Sequence, residues 1–163
     1  MSTFSQITPS VYTGIGMGTN LGGAVGIGTE VRYKFISANC AIGSWVKEFP
    51  PHTGAKSRFD YDLGLKLYSK YGLFLGVNYG LIDEALYTKD GQDLLHFEKT
   101  RGFSFTLGYR HNIFNNIFGL AYVGLTSDKR ANTFSLLNNK SFIPRLGIIF
   151  GYDFKKKEKP ADL

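Results

Sequence analysis

The stretch from Tyr61 to Asp83, YDLGLKLYSKYGLFLGVNYGLID, alternates apolar and polar side chains along almost its whole length and pauses at SKYG. Alternation with a period of two is typical of a β-strand that has one apolar face. The pause indicates a tight turn between two such strands. The architecture depends on whether this apolar face is directed toward a protein core or toward lipid.

The same alternation recurs along the chain and predicts eight strands, at residues 10–20, 24–35, 37–47, 58–69, 72–86, 97–110, 116–126 and 141–154. A tilted strand needs about 9–11 residues to cross a bilayer, and each predicted strand is at least close to that length. The 20 Gly, 14 Phe and 10 Tyr also favour strands and turns over helices. We therefore predict an N-terminal extension over residues 1–9, one β-barrel domain over 10–154 and a basic C-terminal tail over 155–163.

The connections between these strands alternate in length. After a first Gly-rich turn, LGG, the tight KFIS, SKYG and HNIFNN connections alternate with the long EFPPHTGAKSR, YTKDGQDLLH and SDKRANTFSLLNNK. Short turns therefore share one end of the molecule and long loops share the other, as in outer-membrane barrels. A soluble up-and-down barrel with one open mouth would show the same asymmetry.

Side-chain size distinguishes the two faces. The bulky apolar register contains Val25, Ile27, Val31, Tyr33, Phe35, Phe59, Tyr61, Leu63, Leu65, Leu67, Tyr71, Leu73, Leu75, Val77, Tyr79, Leu81, Phe103, Phe105, Leu107, Tyr109, Phe118, Leu120, Tyr122, Leu146, Ile148, Phe150, Tyr152 and Phe154. These groups would overfill an eight-stranded barrel, whose interior is just wide enough for its side chains or one small ligand. The bulky register is therefore predicted to face lipid.

The opposite register combines glycine with balanced charge. Its charged members, predicted to form a lumen ion-pair network, are Glu30, Arg32, Lys34, Asp60, Asp62, Lys66, Glu98, Arg110, Arg145 and Asp153. Glycine makes room in a narrow lumen, and buried ions must pair to offset their desolvation. The predicted fold class is all-β: an eight-stranded antiparallel up-and-down transmembrane β-barrel with a polar, ion-paired lumen.

The last predicted strand, RLGIIFGYDF, places Leu146, Ile148, Phe150, Tyr152 and Phe154 on one face and ends in an aromatic residue. It resembles the terminal strand that the outer-membrane assembly machinery recognises. Together with eight strands and alternating loop lengths, the chain resembles the small outer-membrane β-barrels that include the OmpA transmembrane domain and OmpX. The resemblance covers roughly residues 10–154 and implies a bacterial outer-membrane location, although no signal peptide is visible in MSTFSQITPS.

Two features depart from that pattern. The segment KKKEKPADL follows the terminal strand, which usually ends the chain, and Pro144 lies inside the strand. Since proline cannot donate a ladder hydrogen bond, we expect Pro144 at the rim or at a bulge.

Sites of catalysis or of metal binding are weakly indicated. The segment GIGMGTNLGGAVGIG lacks the strand-then-helix context of a phosphate loop, and the spacing of His52, His96 and His111 suits no metal site. A lipid A-modifying enzyme would need His52 with Ser57 and Asp60, the one loose combination of base, nucleophile and acid. We expect no catalysis, no metal and no cofactor, and we expect Cys40 to be a small apolar filler on the lipid-facing register.

The charge pattern bears on partners. Of the net charge of +6, about four positive charges lie in the tail KKKEKP, and no cluster of arginine and aromatic residues suits nucleic acid. The long loops carry cations that are predicted to contact lipopolysaccharide phosphates, with an ordinary polar loop surface as the alternative: Lys56, Arg58, Lys89, Lys129, Arg130 and Lys140. The apolar Phe134, Leu136 and Leu137 would dock another envelope protein or stay in lipid.

The leading functional prediction is a non-enzymatic outer-membrane barrel with a structural or interaction role: membrane integrity, surface adhesion through the long loops, or membership of an envelope complex. The alternative is a soluble lipocalin-like barrel that binds a hydrophobic ligand with its apolar face inward. A lipid A-modifying enzyme is the third hypothesis.

Overall fold

The computed structural model describes residues 7–44, 59–88, 95–128 and 141–154. These residues form eight strands: β1 (Ile7–Gly18), β2 (Gly23–Tyr33), β3 (Ile36–Ser44), β4 (Phe59–Tyr68), β5 (Leu73–Thr88), β6 (Leu95–Asn112), β7 (Ile117–Asp128) and β8 (Ser141–Asp153). Each strand pairs antiparallel with the next, and β8 pairs with β1. The predicted eight-stranded, up-and-down antiparallel barrel is confirmed.

Within the described segments, no helix is long and apolar enough to cross a membrane.

Most strand boundaries differ from the prediction by one to three residues, and the differences at β1 and in the β5–β6 hairpin move predicted non-strand residues into the barrel. β1 begins at Ile7, which pairs with Tyr33, so the strand takes in the last three residues of the predicted 1–9 extension. The hairpin of β5 and β6 is also longer than predicted and continues to the pair Thr88 and Leu95. Part of the predicted loop YTKDGQDLLH is therefore strand.

The outside of the barrel is a continuous apolar surface. Large apolar side chains from all eight strands are exposed, among them Ile15, Ile27, Ile42, Leu65, Leu75, Phe105, Leu125 and Phe150. A surface this apolar and this extensive is unfavourable in water but is the surface that hydrocarbon solvates in a transmembrane barrel. It is also opposite to the lipocalin-like alternative, in which these side chains would point inward.

Aromatic side chains mark the short-turn end of this surface. The aromatic residues exposed there are Tyr33, Phe35, Tyr71, Tyr109, Tyr152 and Phe154. At the long-loop end, Phe59 is exposed. The side chains of Tyr87, Phe97 and Phe142 lie outside the described residues. The short-turn end therefore carries an aromatic girdle of the kind found at membrane interfaces.

The predicted facing of β7 is wrong. Phe118, Leu120 and Tyr122 are buried in the lumen, while Val123 and Leu125 face outward. Both registers of IFGLAYVGL contain apolar residues, so size alone selects the wrong face. Leu81 is likewise buried rather than outward, because the β5–β6 register shifts between Leu81 and Asp83 and the resulting bulge re-aims its side chain.

Four of the inward aromatic rings fit because each lies beside a glycine on an adjacent strand. The directly opposed pairs are Tyr12 with Gly28, Phe74 with Gly108, Phe118 with Gly151, and Tyr122 with Gly147. A Cβ atom added at any of these four glycines would collide with the partner ring. The lumen therefore contains more aromatic volume than the size argument allowed, because glycine on the neighbouring strand compensates for it.

Pro144 lies in β8 opposite Leu125 of β7. On its other side, the pairing of β8 with β1 runs from Gly147 to Asp153 and does not reach Pro144. The missing backbone N–H therefore falls at the rim, as expected.

Candidate functional site in the barrel lumen

The half of the lumen nearest the short turns contains a buried charge network centred on Glu30. Its carboxylate accepts from Lys66 Nζ at 2.7 Å and from Arg110 Nη1 at 3.3 Å. The Tyr68 hydroxyl donates to the same carboxylate at 3.0 Å. The side chains of Glu30 and Lys66 are 1% and 0% exposed, so neither ion is solvated by bulk water. Their mutual pairing and hydrogen bonds are what offsets the cost of desolvating them.

Arg110 links this centre to a second carboxylate. Its Nη2 lies 2.5 Å from Asp153 Oδ1, and Arg32 Nη2 lies 3.7 Å from Asp153 Oδ2. The Arg110 guanidinium also lies 3.4 Å from the centroid of the Phe118 ring. Strands β2, β4, β6 and β8 are thereby connected through their side chains across the lumen. We call Glu30, Arg32, Lys66, Arg110 and Asp153 the charge network.

The other residues of the predicted ion-pair network lie elsewhere. Asp60 pairs with Arg101 at 3.0 Å toward the long-loop end, and Arg101 was not among the predicted members. Asp62 accepts from Asn78 Nδ2 at 2.5 Å. Arg145 donates to Thr126 Oγ1 and to the backbone of the β1 end.

Two further predicted members are not placed in the lumen. Lys34 lies in the β2–β3 turn with φ 54° and an exposed side chain, and its Nζ lies 5.4 Å from the centroid of the Tyr33 ring. The side chain of Glu98 lies outside the described residues.

The half of the lumen nearest the long loops is filled by the connection between β1 and β2. Residues 18–23, which we call the inward turn, are all buried. Gly18, Asn20 and Gly22 have positive φ angles of 89°, 65° and 68°, a conformation that glycine and asparagine adopt most readily. Leu21 is 0% exposed and anchors the turn. A Cβ atom at Gly26 or Gly43 would collide with the Leu21 carbonyl, so both glycines are needed for the turn to fold inward.

Polar side chains hold the inward turn, and they come from β1, β5, β6 and β7. The Tyr12 hydroxyl donates to the Asn20 carbonyl at 3.1 Å, and the Tyr122 hydroxyl donates to the Thr19 carbonyl. Asn78 donates to the Asn20 side chain at 3.1 Å, and Thr19 contacts Ser104 at 3.2 Å. The turn is therefore fixed by a tyrosine of its own hairpin and by side chains of three strands outside that hairpin.

Buried residues thus occupy both halves of the lumen: the inward turn lies in one half and the charge network in the other. Such an interior can rigidify the barrel and oppose free diffusion along it. Among the described residues no group of three His, Cys, Asp or Glu could hold a metal ion.

Several predicted site residues are not tested by this geometry. The six loop cations predicted to contact lipopolysaccharide, together with Phe134, Leu136 and Leu137, lie outside the described residues, as do His52 and Ser57. Asp60, the third member of the enzyme hypothesis, is engaged by Arg101. Cys40 is exposed on the outer face, where the alternation places it.

Sequence reasoning missed the inward turn, Arg101 and Tyr68. Tyr68 could have been found, because it shares the register of Asp60, Asp62 and Lys66 in FDYDLGLKLY. The inward turn gave a weaker signal, namely its GTNLGG composition. Apart from Tyr12 of β1, its polar partners lie on β5, β6 and β7, and only the closed fold brings them to the turn.

No family model and no curated protein matches the sequence. Two solved structures are similar in fold. The crystal structure of the N-terminal β-barrel domain of Pseudomonas aeruginosa OprF aligns with a TM-score of 0.47 and 13% identity, covering 90% of this chain and 96% of that one. The solid-state NMR structure of the outer membrane protein AlkL in DMPC bilayers aligns with a TM-score of 0.48 and 12% identity, covering 98% and 96%.

Proposed function

We propose that this protein is a bacterial outer-membrane barrel with a structural or interaction role and no catalysis. The proposal rests on which side chains lie on each face of the barrel. Bulky apolar side chains lie outside, and buried ions, hydroxyls and glycines lie inside, which is the reverse of a water-soluble barrel. This is the arrangement of a barrel solvated by lipid. A lumen closed by two separate sets of contacts favours a structural role over transport.

The long loops are the proposed interaction surface. Lys56, Arg58, Lys89, Lys129, Arg130 and Lys140 would contact lipopolysaccharide phosphates, since arginine and lysine are the usual partners of phosphate. Membrane lipid and other envelope proteins are the remaining proposed partners, and nucleic acid is not one. Exchanging the six cations for glutamine should weaken binding of the refolded barrel to lipopolysaccharide micelles and leave its folding unchanged. Equal binding by both proteins would contradict the loop assignment.

The terminal strand is the proposed assembly signal. Its outward residues Leu146, Ile148, Phe150, Tyr152 and Phe154 are all exposed on the lipid-facing surface. Replacing Phe154 with Ala should lower the fraction of protein inserted into the outer membrane of a Gram-negative host. An unchanged inserted fraction would contradict this role.

Conductance and gel mobility test the structural role. The full chain should refold in detergent or lipid into a form whose gel mobility changes on boiling, and in planar bilayers this form should show no sustained open channel. Sustained conductance by the folded form would replace the structural role with that of a pore. A lipid A mass profile that changes on expression of the protein, and reverts with His52→Ala, would favour the enzyme instead.

A further inference from the structure

The short-turn end of the barrel opens into a cavity of about 630 Å³, which we call the short-turn basin. The titratable side chains that line it are those of Arg32, Lys34, Lys70 and Arg110, of His111, and of three tyrosines. No aspartate or glutamate of the described residues belongs to the lining. A concave site lined by charges of one sign concentrates counter-ions of the other sign.

The carboxylates behind the lining do not cancel this charge. Within the charge network, Glu30 and Asp153 face three cations, Lys66, Arg110 and Arg32. The network therefore has one positive charge in excess, and Lys34 and Lys70 add two more at the mouth. The basin is electropositive even though its deepest ions are paired.

Two arginines in the basin have N–H groups that are available to donate hydrogen bonds to a ligand. Arg32 is 23% exposed along its side chain, and its nearest carboxylate oxygen is 3.7 Å away, too far for a hydrogen bond. Arg110 is buried, and its Nε has no hydrogen-bond partner among the described residues. Guanidinium groups bind phosphate and carboxylate oxygens strongly, often through two parallel hydrogen bonds.

The lysines lie at the level of the aromatic girdle. Lys70 Nζ is 4.8 Å from the centroid of the exposed Tyr71 ring, and Lys34 is similarly placed over Tyr33. Membrane-interface tyrosines lie at the depth of lipid headgroups, so these ammonium groups can reach phosphate in the headgroup layer as well as in solution. Phosphate is therefore a chemistry that both the arginines and the lysines of the basin can engage.

We propose that the short-turn basin is an anion site for a phosphate group, supplied either by a free phosphate compound or by the headgroup of an anionic phospholipid. Arg32 and Arg110 form its floor, and Lys34 and Lys70 form its rim. The site lies at the end opposite the long loops and is independent of the lipopolysaccharide contacts proposed there.

The test is an amide NMR titration of the full chain refolded in a maltoside detergent, which contains no phosphate. The two probes are inorganic phosphate and short-chain dihexanoyl phosphatidylglycerol, with sodium chloride at matched ionic strength as the reference. We expect saturable shifts at Lys34, Lys70, Gly72 and His111. The double variant Lys34→Asn, Lys70→Gln should bind about fivefold more weakly, because each exposed charge contributes modestly.

The variant residues are exposed turn positions, and asparagine tolerates the positive φ of Lys34, so the barrel should fold unchanged. Arg101→Gln, which removes a cation near the opposite end, is the matched control and should bind as the native chain does. Saturation by inorganic phosphate supports a site for free phosphate compounds, and saturation by the lipid alone supports a headgroup site. A response to both probes that equals the chloride response, or that the double variant does not weaken, overturns the proposal.

Discussion

Glu30 is the residue on which the charge network depends, because Lys66, Arg110 and Tyr68 all donate to its carboxylate. Replacing it with Gln keeps the shape but removes the carboxylate that pairs with Lys66 and one of the two carboxylates that pair with Arg110. We expect Glu30→Gln to lower the free energy of unfolding by about 3–5 kcal/mol. Urea titration of the refolded barrel in lipid measures this loss.

Lys70→Gln is the matched control for that prediction. It makes a similar change from charged group to amide on an exposed turn residue, and we expect an effect within about 0.5 kcal/mol. Equal losses for the two variants would show that the network contributes no more to stability than a surface charge does.

A methyl group added at a glycine that stands opposite an inward aromatic ring should destabilise the barrel. A Cβ at Gly147 would collide with the ring of Tyr122, whose hydroxyl holds the inward turn. Gly147→Ala should therefore cost about 1–3 kcal/mol by overpacking. At Gly119 the nearest atom to the new Cβ would be the flexible end of Ile113 at 3.3 Å, so Gly119→Ala should be near neutral. Thermal unfolding of the two variants compares them, and a Gly147→Ala barrel as stable as Gly119→Ala would contradict the packing assigned to the lumen.

At the scale of elements, the inward turn depends on hydrogen bonds from outside its own hairpin. Tyr122→Phe removes the donor to the Thr19 carbonyl and leaves that carbonyl buried without it. We expect a loss of about 1–3 kcal/mol. Amide exchange at residues 19–21 should become faster than in the native chain, because the turn would open locally. Exchange within β1 and β2 should change less.

The outward Tyr79 provides the isosteric control. Tyr79→Phe removes a hydroxyl from the lipid-facing surface and should leave exchange at residues 19–21 unchanged. If Tyr122→Phe also left that exchange unchanged, the inward turn would be held by the packing of Leu21 and not by its polar contacts.

Element by element, the sequence predicts strands where one register is apolar and the other is not. FDYDLGLKLY is unambiguous in this sense, and its Asp60, Asp62 and Lys66 are buried as the pattern indicates. In β7 both registers are apolar, and the outcome depends on glycines of β6 and β8 that make room for Phe118 and Tyr122. That information lies in strand register, which a pattern along one strand does not contain.

At the scale of the whole molecule, closure and topology follow from eight alternating segments and loop lengths, whereas the filling of the lumen does not. The inward turn takes up its position because Gly26 and Gly43 admit the Leu21 carbonyl, and because Tyr12 of β1 and Tyr122 of β7 donate to its backbone. The contact from Tyr122 connects residues far apart in the chain. It becomes predictable once the barrel is closed.

The apolar outer face of the barrel is proposed to be in contact with lipid, and the one cysteine of the chain lies on that face. Cys40 is exposed on that face in the middle of β3, paired with Thr29 on one side and Leu63 on the other. The measurement is the accessibility of a nitroxide attached to Cys40, in the full chain reconstituted in bilayers, to oxygen and to a water-soluble nickel chelate. A nitroxide on Lys34→Cys in a Cys40→Ser background is the solvent-exposed reference. We predict high accessibility to oxygen and low accessibility to nickel at Cys40, with the opposite order at position 34. Free access of nickel to Cys40 would place the outer face of the barrel in water and would overturn its proposed contact with lipid.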